Sequence, residues 1–356
     1  MEFIDLFCGI GGASYGFRKA GLKPVLGVEL DPIACDVYEN FVKPEIGVLN
    51  VDIRKIESSD LPDVPVIIGC PPCQGFSNIN GRGRKNKLQD PRNQLVLEYA
   101  RIVAQKIPKI FVFENVPPVK KSNEFFEMLN ILGNFYNIHY DVCDLGLYGG
   151  GDWIPVRPLT HRNRLVCIGV RKDLNVNPCT LFPEPFDNPL PLLEMINNGQ
   201  VNTIDNRRRV LSKRLERLAE YIPPGGTRND VPEEIRQELF YPCWLRSSGF
   251  RDVFSRVSVN KPLPYVTGGI LTPDKGPYLH PAENRGFTVD EAKFIMSFPL
   301  ELPLDNLPLS KVETYIGNAV PPQSVFPIGR RILQLLERNG KRTENIQSKA
   351  LQESNI

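Results

Sequence analysis

The sequence predicts an α/β protein whose central sheet carries helices on both faces. Through residues 1–170, short apolar runs rich in Val, Ile and Phe alternate with longer amphipathic runs. The chain has 356 residues, 41% of them hydrophobic, which is enough for a sizeable core and excludes disordered and fibrous classes. Because such alternation is typical of strands joined by crossover helices, we expect a doubly wound sheet.

The individual elements follow from the same pattern. Strands are predicted at residues 2–7, 23–29, 64–69, 109–114 and 164–170. Helices are predicted between them at residues 12–20, 33–41, 92–105 and 123–132. After residue 172 the chain becomes irregular and rich in proline, with a basic helical stretch at 207–217. Helical patterns return at 288–296 and 322–336, and the polar residues 341–356 are expected to form a frayed tail.

Charge and cysteine content limit the function classes. The 43 Lys and Arg residues nearly balance 41 Asp and Glu, so any nucleic-acid contact must come from a local basic patch. No apolar run approaches the roughly 18 residues that span a bilayer, and the first residues lack a basic signal segment, so we expect a cytoplasmic protein without membrane contact. The eight cysteines are irregularly spaced and fit free thiols better than a disulfide framework.

A glycine-rich turn follows the first predicted strand. Residues 5–12 read DLFCGIGG, and the second predicted strand ends in Glu29. Glycines at such a turn let a nucleotide-like ligand approach the backbone, and an acid roughly twenty residues later can bind ribose hydroxyls. This favours NAD or S-adenosylmethionine (SAM). Ser14 stands in place of the third glycine of the dinucleotide fingerprint, which disfavours a pyrophosphate cradle. A purely structural turn is the alternative.

Two cysteines, Cys70 and Cys73, follow the third predicted strand in the segment GCPPCQGFS. A zinc site would need two more ligands, and no second pair has suitable spacing, so we expect no metal. A dithiol redox pair is the second interpretation. The third is a single nucleophile, because Pro71 and Pro72 would stiffen the loop and present Cys73 at the carboxyl edge of the sheet, where ligands bind.

An acid and two arginines accompany the next strands. Glu114 follows an apolar run, so its carboxyl group is partly removed from water and can hold a proton. Arg162 and Arg164 stand at the start of the last predicted strand and, being two residues apart, share one face, where they could orient Glu114 or bind an anion. A solvated acid and ordinary surface arginines are the alternatives.

Together these segments resemble the DNA cytosine-5 methyltransferases from Phe3 to about Leu336. The matching motifs are the SAM-binding segment 5–12, Pro-Cys-Gln at 72–74, Glu-Asn-Val at 114–116, Arg-x-Arg at 162–164, and C-terminal segments at 285–299 and 317–322. The chain departs from the family at Thr160, where glutamine is usual, and at residues 287–291, which read FTVDE. The resemblance implies a Rossmann-like SAM-dependent methyltransferase fold with a mixed, doubly wound sheet and a smaller, irregular target recognition domain.

The resemblance also implies a covalent mechanism and its residues. Cys73 would attack carbon 6 of a flipped cytosine, Glu114 would act as the acid at ring nitrogen 3, and carbon 5 would take the methyl group of SAM. The catalytic residues carried over are Cys73, Glu114, Arg162 and Arg164. The cofactor residues are Phe7, Gly9, Gly11, Glu29, Asp52, Ile53, Leu95, Asn318, Ala319 and Val320. The basic loop after Cys73 would close on DNA phosphates, unless it is simply a solvated loop; its cations are Arg82, Arg84, Lys85 and Lys87.

The domain organisation and partners follow from the same resemblance. A discontinuous SAM-binding catalytic domain would comprise residues 1–171 and 285–340, with the target recognition domain at 172–284 and a tail at 341–356. The cations at 207–209 and 213–214 fit phosphate contacts or a solvated helix face. We expect a monomer that methylates double-stranded DNA within a restriction-modification system, with a restriction endonuclease of the same target sequence as partner. The alternatives are a tRNA cytosine-5 methyltransferase on the same scaffold and a noncatalytic SAM- or NAD-binding module that holds DNA.

Overall fold

The structure is a computed structural model that describes residues 1–72, 91–153, 155–187, 190–197, 201, 206–246 and 252–353. The chain forms two compact units. The first comprises Met1–Cys143, Asn163–Glu184 and Val325–Ile356, and the second comprises Asp144–Arg162 and Pro185–Ser324. Residues 144–162 and 285–324 therefore pack with the second unit. The division predicted from the sequence, into a catalytic domain and a target recognition domain, assigns both segments to the catalytic domain. That division by function stays a prediction.

A seven-stranded sheet forms the centre of the first unit. Its strands are β1 (Glu2–Leu6), β2 (Lys23–Glu29), β3 (Gly47–Asn50), β4 (Val66–Gly69), β5 (Ile110–Asn115), β6 (Tyr136–Asp144) and β7 (Asn163–Arg171), in the spatial order β3-β2-β1-β4-β5-β7-β6. Neighbours from β3 to β5 pair in parallel, and β7 pairs antiparallel to β5. The predicted mixed sheet is confirmed. Sequence patterns missed β3, which has four residues, and β6, which has no continuous apolar run.

The helices group around this sheet and within the second unit. They are α1 (Gly12–Lys19), α2 (Pro32–Val42), α3 (Leu95–Lys106), α4 (Asn123–Leu132), α5 (Leu192–Asn197), α6 (Lys213–Ala219), α7 (Glu233–Leu239), α8 (Pro242–Arg246), α9 (Val289–Ile295), α10 (Leu309–Asn318) and α11 (Pro322–Glu353). Side-chain caps begin several of them: the Asp31 carboxylate accepts from the Ile33 N–H, and the Ser122 hydroxyl accepts from the Phe125 N–H. None of the described helices has the length and apolar character needed to cross a membrane.

The helices of the first unit form two groups. Buried side chains of α3 and α4 share one core cluster with the strands, including the fully buried rings of Tyr99, Phe111, Phe113 and Phe125. Helix α1 packs instead against α2 and against α11, where a Cβ on Gly329 would lie 2.8 Å from the Cβ of Ala20. This arrangement is that of a doubly wound sheet. Helix α11 continues to Glu353, so most of the polar segment predicted as a frayed tail is helical here.

The second unit is held mainly by short helices and isolated bridges. Its core cluster includes Leu218, Phe254 and Leu279. The predicted helix at 207–217 is wrong in its first half, because α6 starts only after Ser212, whose hydroxyl accepts from the Leu215 N–H. Residues before it are extended, and Arg208 pairs as an antiparallel bridge with residue 288.

The parallel register places several strand ends at one edge of the sheet. Leu6 pairs with Val28 on one side and with Gly69 on the other, and Gly69 pairs with Phe113. The carboxyl ends of β1, β2, β4 and β5 therefore meet at the same edge. In open α/β sheets this edge, at the point where strand order reverses, is where ligands bind.

The turn after β1 requires glycine at position 11. Gly11 has φ +86°, and a Cβ there would lie 2.3 Å from Cγ2 of Val42.

We expect Gly11→Ala to lower the free energy of unfolding by about 2 kcal/mol or more, through backbone strain and overpacking. The matched control is Gly340→Ala in α11, because a Cβ there meets no heavy atom of a described residue within 4 Å. This control should leave stability unchanged or raise it by up to about 1 kcal/mol. Equilibrium denaturation measures both, and equal stability of the two variants would contradict the steric argument.

Candidate active site

The turn after β1 exposes its backbone to a ligand. Phe7, Gly9 and Gly11 all have positive φ, at +65°, +52° and +86°. The turn is fixed by backbone bonds from the Cys8 N–H to the Val28 oxygen (3.0 Å) and from the Gly11 N–H to the Cys8 oxygen (2.9 Å). Within the described part of the chain, a Cβ on Gly9 would meet no heavy atom within 4 Å, so these residues leave open space beside it. The local shape fits a ligand in contact with the main chain.

The Glu29 carboxylate is held beside this turn. Its Oε2 accepts from the Gly9 N–H at 3.0 Å, and its Oε1 accepts from the N–H groups of Leu30 and Asp31 at 2.8 and 2.9 Å. Three backbone donors thus fix the carboxylate at the end of β2. Each oxygen keeps acceptor capacity, which is what binding of ribose hydroxyls needs.

The other predicted cofactor residues of the first unit have structural contacts of their own. Asp52 caps the short turn that starts at Ile53, and its carboxylate pairs with the Arg54 guanidinium. This hydrogen bonding lowers the pKa of Asp52 to about 2, so the group is ionised at neutral pH. Ile53 is buried, and Leu95 at the start of α3 is partly buried against the core cluster. Their contact with the cofactor stays a prediction.

Glu114 and Arg164 lie together at the edge of β5 and β7. The Arg164 Nε is 3.0 Å from Glu114 Oε1. Oε1 is buried, and among the described residues it accepts no hydrogen bond, so the contact is an ion pair without hydrogen-bond geometry. One buried acceptor of Glu114 is thus still available to a partner.

Cys70 is a poor candidate for a nucleophile. The pKa of its thiol is raised well above the ordinary value, first because burial removes it from water and second because the charge of Glu114 is close. A redox pair that needs a Cys70 thiolate is disfavoured for the same reason. Among the described residues, no group of His, Cys, Asp and Glu side chains could hold a metal ion.

The loop that leads to Cys73 is fixed by the Glu-Asn-Val segment. The buried Asn115 amide donates to the Pro71 carbonyl at 3.1 Å, and the Asn115 side-chain oxygen accepts from the Val116 N–H at 2.8 Å. The end of β5 therefore holds the start of the loop after β4. Cys73 itself and the cations Arg82, Arg84, Lys85 and Lys87 lie outside the described residues.

Arg162 lies in the second unit and binds backbone carbonyls. Its buried guanidinium donates to the oxygens of Gly317 (3.2 Å) and Ala319 (2.7 Å), with a longer contact to Val266 (3.5 Å). The Gly317 and Ala319 carbonyls lie at the end of α10, where a cation is favourable. Arg162 thus holds the segment of the predicted cofactor residues Asn318, Ala319 and Val320, of which Val320 is buried and Asn318 is exposed.

The unusual residues before Arg162 have local partners. Thr160 forms a parallel bridge with Leu263. His161 Nδ1 lies 2.6 Å from one oxygen of Asp144, and the Arg162 N–H donates to the other oxygen at 2.7 Å. The backbone around Arg162 is therefore held in place without the usual glutamine.

The sequence also matches the model of a known protein family. The family model for C-5 cytosine-specific DNA methylases matches residues 1–334. The chain belongs to this family. It is therefore a DNA cytosine-5 methyltransferase, and both the predicted family and the predicted fold class are confirmed.

Relatives and solved structures are similar to this methyltransferase over nearly its whole length. The type II methyltransferase M1.HphI of Haemophilus parahaemolyticus is 32% identical over 351 residues, which cover 94% of this chain and 87% of that protein. M.XorII of Xanthomonas oryzae pv. oryzae is 39% identical over 381 residues, which cover 94% and 85%. The crystal structure of a prophage-encoded DNA modification methyltransferase candidate of Escherichia coli has a TM-score of 0.66 at 23% identity and covers 95% of this chain and 99% of that chain.

A buried polar network next to the glycine turn was not predicted from the sequence. The Ser14 hydroxyl donates to Oδ2 of Asp5 at 2.5 Å and lies 2.8 Å from the Tyr38 hydroxyl. Ser14 thus does more than replace a glycine. The sequence signal for this network was Asp5, an acid inside an apolar strand, because a buried polar group needs a hydrogen-bond partner.

Burial raises the pKa of Asp5 in this methyltransferase to about 8. A raised pKa means that Asp5 adds most stability when protonated, below its unfolded value near 3.8. This stability is lost as the pH rises toward 8. We expect the wild type to lose at least about 1 kcal/mol of unfolding free energy over this range, and Asp5→Asn to remove that decline. Denaturation at several pH values tests this, with the exposed Asp36→Asn as control. The same pH dependence in Asp5→Asn as in wild type would refute the assignment.

Proposed function

We propose that this methyltransferase transfers a methyl group from SAM to carbon 5 of a flipped cytosine in double-stranded DNA, and that it is the modification enzyme of a restriction-modification system. The observation that carries the proposal is the Glu114–Arg164 pair at the carboxyl edge of the sheet, beside the Asn115-anchored loop that leads to Cys73. The type II names of the relatives support the restriction-modification assignment, which implies an endonuclease with the same target sequence.

The glycine turn supports SAM as the methyl donor. When bound, SAM supplies an electrophilic methyl group. The main chain at Phe7, Gly9 and Gly11 would contact it from below, and the fixed Glu29 carboxylate would bind ribose hydroxyls. On the family resemblance, Asp52, Ile53, Leu95 and the segment 318–320 belong to the same cofactor set.

The chemistry follows from the weak nucleophilicity of carbon 5. The Cys73 thiolate forms a bond to carbon 6, and the ring electrons move toward carbon 5 while Glu114 donates a proton to ring nitrogen 3. Carbon 5 would then take the methyl group of SAM, whose sulfur–methyl bond breaks to leave S-adenosylhomocysteine. A base or water would remove the proton from carbon 5, the Cys73–carbon 6 bond would break to regenerate the thiolate, and the proton on ring nitrogen 3 would return to Glu114. Cys70 cannot replace Cys73, since the raised pKa of its thiol disfavours the thiolate.

The two arginines have different roles in this proposal. Arg164 contacts the Glu114 carboxyl group and orients it toward the base. Arg162 is a positioning residue, because its guanidinium holds the carbonyls of Gly317 and Ala319 beside the cofactor residues of the second unit. A flipped base costs a few kcal/mol of stacking. Arg82, Arg84, Lys85 and Lys87 would offset this cost by binding phosphates.

Cys73→Ser tests the covalent step. It should lower methyl transfer by at least about a thousandfold and leave SAM binding within severalfold, because the side chain acts on the base and not on the cofactor. Duplex DNA that contains 5-fluorocytosine should trap the wild type covalently in the presence of SAM, and Cys73→Ser should not be trapped.

Transfer of label from radiolabelled SAM to plasmid DNA or to tRNA identifies the substrate. Label on tRNA alone would establish the tRNA enzyme instead, and binding of DNA without any transfer would establish the noncatalytic module.

Arg162→Lys and Arg164→Lys should separate cofactor binding from chemistry. Lysine keeps the charge but loses the planar donor fork. We expect Arg162→Lys to raise KM for SAM by about 10-fold, and Arg164→Lys to lower kcat by about 10-fold with KM for SAM within severalfold. Steady-state kinetics at varied SAM concentration measure both. The reverse pattern would contradict the assigned roles.

A further inference from the structure

The structure divides the basic residues between 207 and 214 into two classes. Three of them, Arg207, Arg209 and Arg214, bind within the second unit. Their acceptors are the carbonyls of Leu304 and Leu307 for Arg207, the Glu313 carboxylate for Arg209, and the carbonyls of Leu239 and Phe240 for Arg214. Arg208 is exposed and donates no hydrogen bond to a described residue. Its charge attracts the Glu283 carboxylate and contributes to the lowered pKa of that group. Most of the basic run is therefore structural.

Arg208 faces outward together with Val210. The bridge between Arg208 and residue 288 makes this segment extended, so successive side chains point to opposite sides. Arg207 and Arg209 point inward, whereas Arg208 and Val210 point outward. Val210 is 89% exposed. An apolar side chain at such exposure next to a guanidinium is a surface suited to a partner with both polar and apolar groups.

Asn284 is oriented by a buried arginine. The Nη2 of Arg256 donates to Oδ1 of Asn284 at 2.5 Å, and its other donors bind backbone carbonyls. Arg256 is 5% exposed, so this orientation is fixed from inside the unit. With Oδ1 used, the amide N–H groups of Asn284 remain as donors at the surface.

Arg208, Val210 and Asn284 line one surface pocket of about 260 Å³. Glu216 and Glu283 also lie on its wall. Arg285, also on the wall, is engaged by the carboxylates of Glu283 and Glu291 at 2.8 to 2.9 Å. Two carboxylates beside Arg208 disfavour a phosphate ligand. Donors, carboxylate acceptors and an apolar group together match the edges of DNA bases in the major groove.

We propose that this pocket reads a base pair of the DNA target, with Arg208 donating to O6 and N7 of a guanine. Asn284 donates to a neighbouring acceptor, and Val210 contacts the apolar part of an adjacent base. The inference rests on the proposed function, since it names the residue through which the enzyme selects its sequence.

The test is the sequence context of methylation. Wild type, Arg208→Ala, Arg208→Lys and the control Lys261→Ala are incubated with SAM and a duplex library of random sequence, and methylated cytosines are mapped by bisulfite sequencing. Lys261 is an exposed cation of the second unit outside the pocket. We expect both Arg208 variants to lose guanine preference at one target position by about 10-fold or more, because lysine lacks the two-pronged donor geometry. Lys261→Ala should keep the wild-type context.

Three other results of this experiment would contradict the proposal, and each can be told from the others. Activity that falls equally on all sequences in Arg208→Ala and recovers in Arg208→Lys would show a phosphate contact and overturn the proposal. An unchanged context in both variants would also overturn it. Wild type that methylates no duplex would refute the proposed function, and the inference with it. Thermal melting checks that the Arg208 variants fold like wild type.

Discussion

The parallel pairing of β1 with both β2 and β4 is the constraint on which the site depends. It brings the glycine turn, Glu29, the loop after β4 and the end of β5 to one edge of the sheet, although these residues lie far apart in sequence. A shift of one residue in this register would turn the side chains of β1 to the other face. Asp5 would then leave its partner Ser14, and the turn would lose its hydrogen-bonded support.

Much of this arrangement could be predicted from the sequence. Apolar runs indicated five strands of the sheet, and the motifs at 5–12 and 114–116 were expected at the ends of strands, which the register brings to one edge. The short β3 and the mixed-polarity β6 were missed because neither has a clear period of two. Residues 207–211 were predicted as helix, because basic residues are common on helices and nothing local indicated the pairing with residue 288. Tertiary pairing overrode local propensity there.

Side-chain roles were harder to predict than elements. Arg162 and Arg164 are two residues apart, yet one binds carbonyls in the second unit and the other an acid in the first. Likewise, neighbours in the run 207–209 alternate between internal and exposed positions. Sequence spacing gives residue type and periodicity, but the acceptor that each guanidinium meets depends on segments that are distant in the chain.

The hydrogen bonds of Arg256 determine which residues of the loop at 280–284 can change during evolution. Four of its five acceptors are main-chain carbonyls, at Ala219, Ile222, His280 and Glu283. A carbonyl is present whichever side chain the residue carries. The exposed side chains at 282–284 can therefore change while Arg256 holds the path of the loop. With Asn284 reading DNA as proposed, such substitutions would alter the target sequence without rebuilding the scaffold beneath.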